Sequence, residues 1–327
     1  MIENYPFLLR PAGKDYLWGG SRLRTEFGKE IELDPLAETW ECSVHPAGLS
    51  YVASGRNEGK ELREVLMEHP EYLGTHPDNS QFPILVKFID ASKNLSIQVH
   101  PTDEYAKSHE NGQLGKTEMW YVVDAARDAS LIYGLKQSMS KEQVRSAIED
   151  GSIEQYLNRV PVNKGDVFFV EAGTIHGIGA GTLVAEIQES SDLTYRLYDY
   201  NRIDKNGKKR ELHIDKALDV ANLNASTSPR QPMRVLKYKN GSASELLGRC
   251  KYFQVERVLL NTERNRSMYS YQTESNSFNV LLCTSGCGVM IGGMDPIYFF
   301  KGDCIFVHAN SSELKIHGMA EFLKISC

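Results

Sequence analysis

Four residues between positions 98 and 176 of this chain have the chemistry of metal ligands. Gln98 and His100 lie in Ser96-Ile97-Gln98-Val99-His100-Pro101, Glu118 heads the apolar run Glu118-Met119-Trp120-Tyr121-Val122-Val123, and His176 follows the turn Glu171-Ala172-Gly173. In an extended segment alternate side chains share a face, so Ile97 and Val99 point one way and Ser96, Gln98 and His100 the other. Three polar groups on one strand face call for a function. Neutral imidazoles with a carboxylate suit zinc or another borderline divalent cation, and three or four such ligands leave a position for water or substrate. Their separation in sequence is what neighbouring barrel strands would produce. The remaining histidines are read as structural or surface groups.

The elements that must position these residues read mostly as short strands broken by Gly, Pro, Asn and Asp: residues 82–91, 118–123, 129–135, 166–170 and 183–188. Many strands with frequent turns point to a sandwich or barrel. Helical patterns are few. From Glu61, Leu62, Val65 and Leu66 share a helix face; Ser140 and Gln143 stand in capping-box spacing ahead of Val144, Ala147 and Ile148; a third helix is expected after His213. The fold class is therefore mainly β with short helical insertions. Residues 222–232, rich in Ser, Asn and Pro, read as a linker, which divides the chain into 1–230 and 231–327. The two parts share a phrase, Lys164-Gly165-Asp166 before Val167–Val170 and Lys301-Gly302-Asp303 before Cys304–Val307. The first copy runs on to His176 and the second has no histidine in register, so chemistry is expected in the first part alone.

With 327 residues and 41% hydrophobic content the chain can bury a sizeable core. A formal net charge of -6 argues against nucleic acid and anionic membrane as partners and confines anion recognition to a local site. No run of about 18 apolar residues could span a bilayer, and the cytoplasm is the expected location. Six scattered cysteines without a CxxC pair fit reduced thiols. Cys283 and Cys287 are spaced as a metal clip could be, but a Ser-Gly turn between two apolar strands accounts for the spacing.

Residues 165–176 resemble the second metal motif of cupin barrels, with Glu171 where that motif carries proline. Gln98-Val99-His100 with Glu118 resembles the first, with Gln for its first His. Gln-Val-His-Pro is further similar to the type I mannose-6-phosphate isomerases. So are AETWECSVHPAG from residue 37, PILVKFIDASKNLSIQVHPTDEYA from 83, GKTEMWYV from 115, AGTIHGIG from 172 and SDLTYRLYDYNR from 191. The likeness runs from Trp18 to about Asn201, in the short bacterial form, with a weaker barrel beyond. It implies two cupin jelly-roll domains, the first catalytic and the second without metal ligands, and one zinc per chain held by Gln98, His100, Glu118 and His176.

The resemblance also implies a sugar-phosphate substrate, a phosphate contact at Ser96, an active-site arginine at Arg196, pocket lysines at Lys87 and Lys116, and site acids at Glu186 and Asp192; Ser96, Lys116 and Arg196 are the candidates for gripping substrate, and Glu186, Lys87 or an acid near Asp192 for moving the proton. The expected reaction is aldose–ketose interconversion of mannose 6-phosphate and fructose 6-phosphate through an enediolate, in a monomer or homodimer. On the residues alone several readings stay open. Lys87 lies among Leu85 and Ile89, where an apolar setting could depress its pKa or its stem could snorkel. Arg196, beside Thr194 and Tyr198, could grip an anion or stack at an interface. Lys116 would ordinarily be solvated and Asp192 could cap a turn. A non-catalytic sugar-phosphate-binding cupin and a metal-dependent oxygenase are the alternatives, since one barrel serves many activities.

Overall fold

The runs of β-branched and aromatic residues form strands that pair antiparallel, and three sheets result among the described residues. The structure is a computed structural model that describes residues 5–327 apart from 76–81, 204–206, 228, 230, 232, 265–266 and 294. The first sheet runs, in hydrogen-bonded order, Val167–Val170, Glu118–Ala125, Thr182–Glu189, Ile84–Ala91, Glu38–Cys42 and Ala12–Lys14. The second runs Tyr195–Tyr198, Ile97–Val99, His176–Ile178, Ser130–Leu135 and Leu157–Pro161. A third and larger sheet gathers the strands after residue 237, and Phe7–Arg10 joins it by pairing with Cys304–Val307.

The first sheet is the middle layer, and side-chain alternation divides its residues between two interfaces. Ile89, Trp120, Val122 and Val184 pack toward Leu131 and Ile178 of the second sheet. Val86, Phe88, Tyr121, Ala185 and Ile187 pack toward Val255, Val280, Phe306 and Leu323 of the third. Covered on both faces, Ile84–Ala91 and Thr182–Glu189 are buried at every position. Polar side chains on these strands therefore face the interior.

The expected helices are present. Leu62–Glu68 buries Leu62, Val65 and Leu66, Ile214–Val220 follows His213, and Lys141–Glu149 begins with a complete capping box between Ser140 and Gln143. A further helix, Asp103–His109, occupies the segment between His100 and Glu118, with Thr102 Oγ1 accepting the Tyr105 N–H. The repeated Lys-Gly-Asp turns have one geometry: Asp166 Oδ2 accepts from Asn163 N at 2.8 Å and Asp303 Oδ2 from Phe300 N at 2.7 Å. Of the expected linker 222–232, residues 228, 230 and 232 lie outside the described residues. Among the described residues no helix is long and apolar enough to cross a membrane.

One expectation is corrected. Cys283 and Cys287 do not flank a turn between two strands; they belong to one strand, Asn279–Ile291, that bulges between Cys283 and Ser285 against Leu314–Ser326. The extra residue of a bulge takes up the spacing that a hairpin would otherwise explain. Gly286 makes it possible, because its φ is +82° and a Cβ there would stand 2.0 Å from the Met319 carbonyl oxygen. Gly286→Ala should cost about 2 kcal/mol or more of stability, read from a urea unfolding midpoint.

Candidate functional site

The strand stretch Ile97–Val99 places its polar and apolar side chains as the alternation requires. Ile97 and Val99 are buried in the core behind the sheet, while Gln98 lies in register with His176 on one side and with Arg196 on the other. His100 stands one residue past the strand, and Glu118 begins the facing strand of the middle sheet. His100, Glu118 and His176 converge with one ligand atom each, all within 4.8 Å of one another. Glu118 Oε2 is 3.5 Å from His100 Nε2, and its Oε1 is 3.5 Å from His176 Nε2. Gln98 Nε2 is 3.3 Å from His176 Nε2.

Backbone carbonyls fix the imidazoles in the orientation a metal needs. His100 Nδ1 donates to Leu193 O and His176 Nδ1 to Thr174 O, both at 2.8 Å, so each Nε2 lone pair is turned toward Glu118. Burial, followed by the nearby Lys116 ammonium, pushes His100 down to about 4, and burial lowers His176 as well. Burial works to raise Glu118, but Lys116 and the two histidines outweigh it and hold the carboxyl well below its usual range. The result is two neutral imidazoles facing a carboxylate. Both Glu118 oxygens are fully buried with no well-formed hydrogen bond among the described residues.

Ligand atoms bound at about 2.1 Å to a tetrahedral ion stand roughly 3.4 Å apart, close to the 3.5 Å between each Nε2 and its nearer Glu118 oxygen, and the whole group lies within 4.8 Å. The donor set therefore fits zinc. Gln98 completes it once its amide is turned to present Oε1, the atom that now faces Ser96 Oγ at 3.4 Å.

Beside the ligands runs a row of alternating charge. Lys116 Nζ is 2.8 Å from Glu118 Oε2 and 3.6 Å from Glu186 Oε1; Lys87 Nζ is 2.9 Å from Glu186 Oε1 and 3.6 Å from Glu38 Oε2. Two indoles complete the carboxylates, Trp120 Nε1 donating to Glu186 at 2.9 Å and Trp40 Nε1 to Glu38 at 2.8 Å. Burial alone would depress Lys87, but Glu186 and Glu38 overcome it and raise its pKa. Its stem is buried in the sheet, and its ammonium meets carboxylates instead of snorkelling to solvent. Lys116 is buried, not solvated.

Above this row opens a cavity of about 230 Å³ lined by Lys87, Ser96, Gln98, Lys116, Glu186, Asp192 and Arg196. With the three ligands below, all ten residues singled out in the sequence come together. Arg196 donates Nη1 to the Glu211 carbonyl at 2.7 Å, and its buried Nε has no hydrogen-bond partner among the described residues. The cavity also takes Tyr16, Trp18, Glu38, Thr194 and Arg210, whose roles were not read from the sequence. Glu38 and Trp40 could have been found by strand alternation, since Trp40 pairs in register with Lys87. Arg210 comes from an irregular segment and carries no such pattern.

The ligand segment is braced from behind by two acids. Glu189 Oε1 accepts the Thr117 N–H at 2.7 Å, between Lys116 and Glu118, and Asp103 Oδ1 accepts the Gly115 N–H at 2.9 Å. Burial first, and then Asp103, pushes Glu189 up to about 8. An acid whose folded pKa is raised loses stability as pH climbs from its unfolded value of about 4.5 through its folded one. Glu189→Gln keeps the acceptor, so it should match the parent chain's urea midpoint at pH 4 and exceed it at pH 8.

Residues 7–127 match the family model described as Phosphomannose isomerase type I, catalytic domain. A probable mannose-6-phosphate isomerase of Bacillus subtilis (strain 168) is 39% identical over 322 residues, covering 98% of each chain. The crystal structure of the mannose 6-phosphate isomerase from Bacillus subtilis superposes with a TM-score of 0.89 at 34% identity, over 98% of this chain and 99% of that one. A mannose 6-phosphate isomerase bound with zinc and yttrium shares the fold at a TM-score of 0.73 and 16% identity, over 98% of each chain.

Proposed function

From the premise that the chain belongs to the mannose-6-phosphate isomerase family, we propose that it converts mannose 6-phosphate to fructose 6-phosphate and back through an enediolate, at one zinc held by Gln98, His100, Glu118 and His176. The observation that carries this reading is a buried carboxylate facing two Nε2 lone pairs at 3.5 Å directly beneath a cationic cavity. Zinc bound there supplies Lewis-acid polarisation of the sugar oxygens.

The chain's own groups do the rest. The reaction moves a proton between C1 and C2, and Glu186, on the cavity wall, is the carboxylate assigned to carry it. Lys87, a buried cation 2.9 Å from Glu186, supplies positive charge where the enediolate oxygens develop, and hands a proton between them as the hydroxyl changes carbon. Lys116 holds Glu118 and Glu186 in mutual register. Ser96 and Arg196 grip the phosphate, and Asp192, at the exposed rim, orients the sugar hydroxyls.

Residues 1–230 are assigned as the catalytic cupin unit and 231–327 as a second cupin-like unit without metal ligands. The face-to-face packing of the first two sheets supports the jelly-roll reading. A small sugar phosphate as partner, a monomer or homodimer as assembly and the cytoplasm as location complete the proposal.

The test is a coupled assay of mannose 6-phosphate conversion with metal analysis. Chelation should abolish turnover and zinc restore it. His100→Ala should lose both zinc and activity, whereas Arg196→Ala should keep zinc and lose about 10²- to 10³-fold in kcat/KM. Near-normal turnover in both variants would contradict the assignment.

A further inference from the structure

The two walls of the cavity differ in how their charges are compensated. On the middle sheet, Lys87 and Lys116 each face carboxylates at ion-pair distance. On the opposite wall, Arg210 and Arg202 share one buried carboxylate, Asp199. Arg196, next to them, has a backbone carbonyl and a buried Nε that has no hydrogen-bond partner among the described residues. Of the charged groups on this side, Arg196, Arg210 and Asp192 line the cavity, two guanidiniums to one carboxylate, while Arg202 and Asp199 stand behind them. Burial and the neighbouring Arg210 both lower the Arg196 pKa, which places the two guanidiniums within each other's field. Like charges held together in a cavity favour an anionic ligand between them.

Arg210 is preset for that task. Its Nε donates to Asp199 Oδ2 at 2.8 Å and its Nη2 to Asp199 Oδ1 at 2.5 Å. This forked grip orients the plane and leaves the Nη1 edge for a second acceptor. Asp199 is itself held by Arg202, whose guanidinium also reaches the Asn94 carbonyl. Arg210 lines the same cavity as Ser96, Thr194 and Arg196, so an anion bonded to Ser96 and Arg196 would lie within its reach.

We propose that Arg210, aligned by Asp199, is a second guanidinium for the substrate's phosphate and sets the enzyme's preference for phosphorylated over free sugar. Asp199 is a positioning residue in this scheme. The proposal rests on the sugar-phosphate reading of the site, and its test separates the two.

Inorganic phosphate is titrated calorimetrically into zinc-loaded enzyme, with turnover of mannose 6-phosphate and of unphosphorylated mannose measured alongside. Arg210→Met should weaken phosphate binding and raise KM for mannose 6-phosphate by about 10- to 100-fold, the worth of one charge-assisted contact. It should leave kcat within threefold and zinc content unchanged. Arg210→Lys should recover part of the phosphate affinity, and Asp199→Asn should shift it in the same direction as Arg210→Met by less. Unchanged phosphate affinity and KM in Arg210→Met would overturn the proposal while leaving the isomerase reading intact. Absence of turnover in the parent enzyme would overturn that reading, whatever the phosphate titration gives. If Arg210→Met does not fold, phenylglyoxal labelling of the parent chain, mapped by peptide mass spectrometry, decides. Protection of Arg210 by inorganic phosphate supports the proposal, and equal labelling with and without phosphate overturns it.

Discussion

A carboxylate with no solvent exposure, facing two neutral imidazoles, is the constraint on which the site depends. Taking such a charge out of water costs several kcal/mol unless cations and hydrogen bonds replace the lost hydration. Around Glu118 the replacement extends as a chain, from Lys116 to Glu186 to Lys87 to Glu38, with Trp120 and Trp40 donating into the carboxylates. Removing one link strands its neighbours. The row exists because the middle sheet is covered on both faces, so alternate residues of Ile84–Ala91 and Thr182–Glu189 have nowhere to point but the site or the apolar core.

The third sheet contributes through that same covering. Tyr121, one residue after Trp120, turns to the other face and donates to Glu321 of the third sheet at 2.9 Å, where Arg257 and Thr284 also converge. Tyr252 donates to Asp103 at 2.7 Å, pinning the helix that follows His100. The ligand-bearing segment from His100 to Glu118 is thus anchored at both ends, through Asp103 to the third sheet and through Thr117 to Glu189. Preorganisation of this kind lets donors meet a metal or a developing charge without reorganising.

Much of this was legible in the residue order because strand alternation is a strict period. Ser96-Ile97-Gln98-Val99-His100 announces its polar face, and Glu118 and His176 sit at strand starts that apolar runs and turn glycines define. The capping box at Ser140 and Gln143 was equally local. What escaped depends on distant partners. The ion pairing of Lys87 depends on Glu186 and Glu38, which only sheet pairing brings near it. Arg210 acts from an irregular segment, and the bulge at Cys283 mimics a turn because Ser-Gly suits both. The helix Asp103–His109 was missed although Thr102 and two acids in its first turn mark its start, since it buries one residue, Ala106, and so lacks an apolar stripe.

In the proposed site His100, Glu118, His176 and Gln98 would hold a single zinc through nitrogen and oxygen. Zinc K-edge X-ray absorption of the purified chain tests it most directly. The expected result is one zinc per chain in a shell of nitrogen and oxygen at about 2.0–2.1 Å, with the outer scattering of two imidazoles. A sulfur shell at about 2.3 Å, or a spectrum without imidazole scattering, would contradict it.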